Sequence, residues 1–201
     1  GQRLLQAALG RGDALDGAEA LIHCAARAHI MDDPAADPLA AFRRVNTEGT
    51  LALARQAARA GVRRFIFVSS IKVNGEATRP GRPFTAKDMA APADAYGVSK
   101  DPPAAAGRVF LAADGEDVST SGLLRAVARA LGRPARLIPV PALVLTALAA
   151  LVGKRDVARR LCDSLQVDIT DTTTTLDWVP PVDMDTALRR TAQHFLNKET
   201  H

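Results

Sequence analysis

The sequence has few of the residues that would mark a specialised scaffold. Only two of its 201 residues are cysteine, Cys24 and Cys162, and they have no metal-ligand spacing. This excludes a disulfide-stapled fold and predicts a reducing compartment, so we expect a cytoplasmic protein without a metal site. Aromatic residues make up 4% of the chain. A nucleic-acid surface would need stacking rings among clustered basic residues, and we expect no nucleic-acid partner.

Long apolar runs are also scarce. The most apolar stretch, residues 137–152, is interrupted by Pro139 and Pro141. These prolines leave about 12 helical residues, or about 18 Å of helix. A bilayer core needs about 30 Å. We therefore predict a buried helix at this position rather than a membrane span, and no membrane partner.

The remaining composition is that of an ordinary globular protein. Hydrophobic residues make up 47% of the chain and charged residues 24%. The 26 basic residues are interleaved with 22 acidic ones, for a formal net charge of +4. A chain of this length and balance buries a sizeable core, and its charge serves solubility.

Two short apolar segments predict buried strands. They cover residues 20–26 and 64–70, and the second is rich in aromatic and β-branched residues. Residues 39–60 lie between them, have helical apolar spacing and end at Gly61. The order of strand, helix and strand, with nearly continuous apolar strands, predicts parallel strands covered on both faces. The expected fold class is therefore α/β with a doubly wound parallel sheet.

Further elements are predicted from the same patterns. A polar connector is predicted over residues 172–175 and a strand over residues 108–111. Helices are predicted over residues 2–9, 120–131, 141–152 and 186–196.

Tyr96 and Lys100 are four residues apart, which places them on one face of a helix. A tyrosine hydroxyl titrates near pH 10, and a neighbouring ammonium favours its ionised form. Ser70 ends the second predicted strand, at the edge where parallel sheets carry their reactive groups. The three residues would move a proton on or off a carbinol oxygen while a hydride goes to nicotinamide. A surface tyrosine packed on a lysine stem is the alternative, because this spacing alone is common.

The helix of Tyr96 cannot continue past Lys100. Pro102 lacks an amide hydrogen and pushes Asp101 out of the helical region. We therefore expect the helix to end at the lysine.

The sequence around these residues resembles the nucleotide-sugar epimerase/dehydratase branch of the extended short-chain dehydrogenase/reductase family. The resemblance is carried by LIHCAAR, VNTEGT, VSSIKVNGE, AYGVSK and LDWVPP, where Asp177 replaces the usual glycine of the last motif. It implies an incomplete Rossmann-type dinucleotide domain over residues 1–100. It also implies a smaller C-terminal α/β lobe for the substrate over residues 101–201.

The resemblance also assigns roles to residues. Ser70, Tyr96 and Lys100 match the catalytic triad, and Asn46 matches the asparagine that supports the active-site helix. The cofactor implied is NAD, with NADP as the alternative. The residues implied in its binding are Gly1, Asp13, Ala25, Ala26, Arg27, Asn46, Tyr96 and Lys100.

The two residues after Ser70 narrow the reaction type. Family dehydratases carry an Asp-Glu pair there, and this chain has Ile71 and Lys72. An elimination would lack its carboxylates, which leaves a 4-epimerase or a 4-keto reductase acting on a UDP-sugar. The motif SSIKVNGE resembles the bacterial surface-polysaccharide group, whose substrates are UDP-linked N-acetylated sugars.

The family also implies a homodimer, paired through the helix over residues 39–60 and the Tyr96 helix. A non-catalytic dinucleotide-binding regulator or scaffold on the same fold is the second hypothesis. It has no need of a complete Ser70, Tyr96 and Lys100 set. Turnover of UDP-sugars distinguishes the two.

Parts of the family pattern are missing from this sequence. Gly1 matches the last glycine of the phosphate-binding fingerprint, without the strand before it. Further family segments are expected between Gly10 and Glu19 and after Lys100. Two accounts stay open, a longer parent chain and a shortened gene.

Overall fold

The computed structural model describes residues 15–28, 35–101 and 107–199. Gly1, Asp13 and the helix predicted over residues 2–9 lie outside this part of the chain. The described residues form two compact units. The first comprises those up to Glu76 and those from Lys87 to Val109, and the second comprises Ala77–Ala86 and those from Phe110 onwards.

The first unit contains two parallel strands, β1 (Ala20–His23) and β2 (Arg64–Phe67). Their register sets Ala20 opposite Arg64 and His23 opposite Phe67. The Val68 amide donates to the His23 carbonyl at 3.0 Å and extends the pairing by one residue. The predicted parallel α/β arrangement is confirmed, and both strands are shorter than predicted.

One long helical stretch connects the two strands. Helix α1 (Pro38–Arg43) begins after Asp37, whose carboxylate accepts a hydrogen bond from the Ala40 amide at 3.0 Å. A π-helical segment (Arg44–Glu48) comes next and leads into α2 (Gly49–Arg59). The chain then turns at Gly61, which has φ +78°. The predicted helix is present over this range, but its pattern did not reveal the π segment.

Only one face of the strand pair is covered by the helices that the structure describes. The side chain of Thr50 in α2 meets His23, which is buried. Strand side chains alternate between faces, and Ile22 and Ile66, on the opposite face from His23, are 64% and 48% exposed. Within the part of the chain that the structure describes, the helices therefore lie against the His23 face of the strand pair.

A short 3₁₀ turn (Ile71–Val73) comes after β2, and α3 (Ala95–Lys100) completes the first unit. Asp101 has extended backbone angles, so α3 ends at Lys100, as the adjacent proline predicts. The second unit confirms three predicted helices and contains two that were not predicted as helices, over Arg155–Cys162 and Thr170–Leu176. Its helices are α4 (Thr120–Ala130), α5 (Ala142–Leu151), α6 (Arg155–Cys162), α7 (Thr170–Leu176) and α8 (Met184–Glu199).

Helix α5 is not buried as predicted. None of its residues is buried, and Leu143 and Leu151 are each 83% exposed. The helix is apolar on every side, so its sequence pattern had no polar face from which exposure could be read. Among the described residues, no helix has both the length and the apolar character needed to cross a membrane.

Two further elements of the second unit differ from prediction. Residues 108–111 form no strand, and the Leu111 carbonyl accepts the Thr172 hydroxyl at 2.5 Å instead of a strand amide. The polar stretch over residues 172–175 is helical and belongs to α7. The hydroxyls of Thr173 and Thr174 donate to the Thr170 carbonyl in the preceding turn, at 3.0 Å and 2.7 Å. These bonds satisfy side chains whose composition had predicted a connector.

Asp177 ends α7 in a left-handed conformation, with φ 48°. A side chain there costs about 1 kcal/mol relative to glycine, less for aspartate than for most residues. We expect Asp177→Gly to raise the free energy of unfolding by up to about 1 kcal/mol, and Asp177→Ala to lower it. Urea denaturation of the three proteins checks this order, and a glycine variant less stable than the alanine variant would contradict it.

Candidate active site

The carboxyl ends of β1 and β2 lie at the same edge of the sheet because the strands are parallel. Ala25, Ala26 and Arg27 come after β1 in irregular, half-buried backbone. Ser70 comes after β2 and caps the 3₁₀ turn, where its hydroxyl accepts the Lys72 amide at 3.3 Å. Open α/β sheets bind ligands at this edge.

Helix α3 carries Tyr96 in its first turn and Lys100 in its last. Its cap is Asp94, whose Oδ1 accepts the Gly97 amide at 2.6 Å. The Tyr96 ring meets the ring of Phe42, in α1, edge to face at 6.1 Å between centroids. The half-buried tyrosine is therefore oriented both by its own helix and by α1.

Lys100 is buried at the end of β2, with 2% of the residue exposed. Its Nζ donates to the Val68 carbonyl at 2.6 Å and lies 4.3 Å from the centroid of the Phe67 ring. Burial lowers the pKa of Lys100, and the electrostatic interaction with Cys24 acts in the opposite direction. An ammonium has three donors, so the bond to Val68 leaves others for a ligand hydroxyl.

Asn46 joins the backbone after β1 to helix α3. Its Oδ1 accepts the Arg27 amide at 2.7 Å, and its Nδ2 donates to the Arg27 carbonyl at 3.1 Å. The same Nδ2 donates to the Ser99 hydroxyl at 2.8 Å. Asn46 lies in the π segment and is almost completely buried, so its side-chain amide makes these bonds inside the core.

Lys72 has a part in this site that sequence reasoning missed. In the sequence, Lys72 stands where family dehydratases carry a carboxylate, and in the structure its Nζ forms an ion pair with Oδ2 of Asp94. A second contact, to Glu76, measures 3.4 Å. The hydrogen bond to Asp94 raises the pKa of Lys72 and outweighs partial burial. The signal available in the sequence was Asp94 itself, at the cap position of a helix starting with AYG.

His23 is the other buried titratable group near the edge. The Thr50 hydroxyl donates to the Asn46 carbonyl at 2.5 Å, so at its 2.9 Å contact with His23 it accepts from Nε2. That places the proton of a neutral ring on Nε2. The ring also stacks on Phe67, with centroids 5.8 Å apart. Burial and, second, the charge of Lys100 lower the pKa of His23 from its usual 6.5.

The predicted site residues from β1 through α3 thus lie in one unit. Bonds from Ser69 and Thr47 to backbone carbonyls of α3, at 2.7 Å and 2.9 Å, complete the attachment of this helix. Gly1 and Asp13, also predicted to bind the cofactor, lie outside the described residues.

Comparison with known proteins shows the family to which this chain belongs. Residues 9–103 match the NAD dependent epimerase/dehydratase family. The chain is also 37% identical to a UDP-glucose 4-epimerase from Vibrio cholerae over 250 positions, which cover 88% of this chain and 76% of that protein. The chain belongs to the NAD dependent epimerase/dehydratase family. This confirms the predicted family and the prediction of an enzyme, and at family level it confirms the nicotinamide cofactor.

Solved structures of the epimerase/dehydratase group confirm the predicted Rossmann-type fold. A UDP-glucose 4-epimerase from Thermotoga maritima, solved with UDP-glucose, has 16% identity and a TM-score of 0.58, covering 97% of this chain and 82% of its own. A dTDP-glucose 4,6-dehydratase from Streptomyces venezuelae, solved with NAD, also has 16% identity and a TM-score of 0.58. It covers 98% of this chain and 79% of its own.

The alignment with the Vibrio cholerae enzyme is longer than this chain. It extends over 250 positions, whereas the chain has 201 residues. The epimerase/dehydratase relative therefore has internal segments that this chain lacks, in agreement with the prediction of missing family segments.

A second prediction concerns the contact between α3 and the 3₁₀ turn. A Cβ on Gly97 would lie 2.7 Å from the Lys72 carbonyl oxygen. We expect Gly97→Ala to lower the free energy of unfolding by about 1–3 kcal/mol through overpacking, although alanine favours helices. Thermal unfolding measures this. The control is Gly107→Ala, where a Cβ meets nothing within 4 Å, and equal effects of both changes would contradict the prediction.

A third prediction concerns neutral His23. Below its ordinary pKa of 6.5, the unfolded chain binds a proton at this residue before the folded chain does. The free energy of unfolding should therefore fall as the pH is lowered from about 7 towards about 5, and His23→Gln should remove that part of the fall. Urea titrations at several pH values test this, and identical pH slopes for both proteins would refute it.

Proposed function

We propose that the protein is a nucleotide-sugar 4-epimerase that acts on a UDP-sugar with NAD. The observation that supports this most is the docking of the Tyr96–Lys100 helix at the carboxyl edge of β1 and β2, with the Lys100 ammonium at the Val68 carbonyl. The 37% identity to a UDP-glucose 4-epimerase supports the reaction class.

The residues at the carboxyl edge of β1 and β2 are suited to hold a dinucleotide. Ala25, Ala26 and Arg27 present half-buried backbone after β1, and Lys100 brings a cation with donors to spare. A bound nicotinamide would supply the acceptor, and later the donor, of the sugar's hydride.

Residues of this chain transfer the proton of the sugar 4-hydroxyl. Tyr96 takes the proton of the sugar 4-hydroxyl as the C4 hydrogen leaves as hydride, and it returns the proton when the 4-keto sugar is reduced on its other face. Lys100 favours the tyrosinate by its positive charge and holds a ribose hydroxyl. Ser70 donates a hydrogen bond to the reacting sugar oxygen. General acid–base help of this kind contributes roughly 10²–10⁴-fold to a rate.

A 4-keto reductase differs from an epimerase in electron balance. An epimerase returns every hydride and needs only catalytic amounts of NAD. A reductase consumes one reduced nicotinamide for each product. The identity to an epimerase favours the first activity, and the absence of a carboxylate at Ile71 and Lys72 is compatible with both.

Three narrower expectations remain predictions. They are the UDP-linked N-acetylated sugar of surface polysaccharides, the homodimer and the cytoplasmic location. Assays with N-acetylated and plain UDP-hexoses, sedimentation and cell fractionation test them in turn.

A fourth prediction tests the role of the tyrosine. We expect Tyr96→Phe to lower kcat for UDP-hexose epimerisation by roughly 10²–10⁴-fold, with NAD affinity nearly unchanged. The variant keeps the ring that contacts Phe42 and loses only the hydroxyl. Product formation with catalytic NAD gives the rate, and a fluorescence titration with the reduced dinucleotide, NADH, gives the cofactor affinity.

Ser70→Ala should show the same pattern with a smaller loss. Undiminished turnover in Tyr96→Phe would remove the tyrosine from the mechanism. NAD binding without turnover of any UDP-sugar would favour the regulator hypothesis instead.

A further inference from the structure

We propose that the Lys72–Asp94 ion pair positions the Tyr96 end of α3 against the Ser70 turn, which makes Lys72 and Asp94 positioning residues of the reaction. This inference rests on the proposed function, because it takes Tyr96 and Ser70 as the reacting groups.

Each carboxylate oxygen of Asp94 has its own partner. Oδ1 accepts the Gly97 amide at 2.6 Å and starts the helix, and Oδ2 accepts the Lys72 ammonium. Lys72 also belongs to the turn of Ser70, whose hydroxyl accepts the Lys72 amide at 3.3 Å. One chain of contacts therefore runs from the Ser70 hydroxyl to the first turn of the helix that carries Tyr96.

The backbone of the turn and the helix are also in direct contact. A Cβ on Gly97 would lie 2.7 Å from the Lys72 carbonyl oxygen, so only glycine fits there without a shift. Next to this contact, the Ala91 amide donates to the Val73 carbonyl at 2.8 Å. A displacement of Lys72 is therefore transmitted to the first turn of α3.

The two ends of α3 are held by different groups. Ser69, Thr47 and Asn46 bind Ser99 or Lys100 at the carboxyl end. The amino end, with Tyr96, depends on the Asp94 cap, the Lys72 pair and the Phe42 ring. Helices of six residues do not hold themselves in water, so loss of the pair would shift Tyr96 while the carboxyl end stays attached.

The pair is suited to positioning rather than to bulk stability. The Lys72 and Asp94 side chains are 36% and 35% exposed, so solvent screens their attraction. The hydrogen bond to Asp94 raises the pKa of Lys72, so the lysine is charged at neutral pH. The effect of breaking the pair should thus appear in kcat more than in folding.

The test uses Lys72→Met, Asp94→Asn and the double variant in the full chain. Asparagine caps a helix about as well as aspartate, so Asp94→Asn keeps the cap and removes the ion pair. Glu76→Gln is the matched control, because Glu76 is the other carboxylate near Lys72, at 3.4 Å.

We expect kcat for UDP-hexose epimerisation to fall about tenfold in each single variant, with KM changed by less than about twofold, because a small misplacement slows the chemical step. The double variant should lose no more than either single one, since both break one interaction. Lys72→Arg should retain most of the rate, and Glu76→Gln should match the wild type. Unchanged kcat in Lys72→Met, or multiplied losses in the double variant, would overturn the inference.

Hydrogen exchange of the Gly97 and Val98 amides gives a readout that does not depend on activity. These amides donate to Asp94, at 2.6 Å and 3.0 Å. They should exchange faster in Lys72→Met than in Glu76→Gln, with α4 unchanged in both. If the protein turns over no UDP-sugar, the proposed function fails and the exchange rates still decide whether the pair holds the helix. Turnover with unchanged exchange and kcat would reject the pair alone.

Discussion

The attachment of one short helix is the constraint on which this site depends. Helix α3 has six residues and carries both Tyr96 and Lys100. A helix of this length has no stability of its own, so its position is set by the groups around it. Asn46 provides the central bond, because one side chain holds both Ser99 of the helix and Arg27 of the backbone after β1. The predicted cofactor edge and the predicted catalytic helix are thereby fixed to each other.

The second physical feature of the site is the buried ammonium of Lys100 at the end of β2. Lys100 is buried between the Val68 carbonyl and the Phe67 ring, and burial lowers its pKa. Neutral His23 packs on the same ring, with the Thr50 hydroxyl accepting a hydrogen bond from its Nε2. A lysine that is held with little solvent exerts its charge with little screening. This arrangement suits a group whose proposed task is to favour a tyrosinate.

The fold was predictable where a single local pattern determined it. The parallel strands, the helix between them and the stop at Asp101 are consequences of apolar runs, Gly61 and Pro102. Failures occurred where tertiary contacts outweighed composition. The threonines predicted as a connector lie in a helix, where Thr173 and Thr174 bind the Thr170 carbonyl and Thr172 binds the Leu111 carbonyl. The domain boundary expected at residue 100 remains a prediction. Residues 77–86 belong to the second unit, where Thr78 and Phe84 pair with residues 164–168.

The sequence alone determined the chemistry that this protein has available, because the spacing of Tyr96 and Lys100 and the motifs around them are written in it. The tertiary structure alone decided how those groups are held. In the sequence, Lys72 occupies a position where family dehydratases carry a carboxylate. In the structure it contacts Asp94, 22 residues further along the chain. No local periodicity connects two such residues, since they meet only when the turn after β2 and the start of α3 pack together.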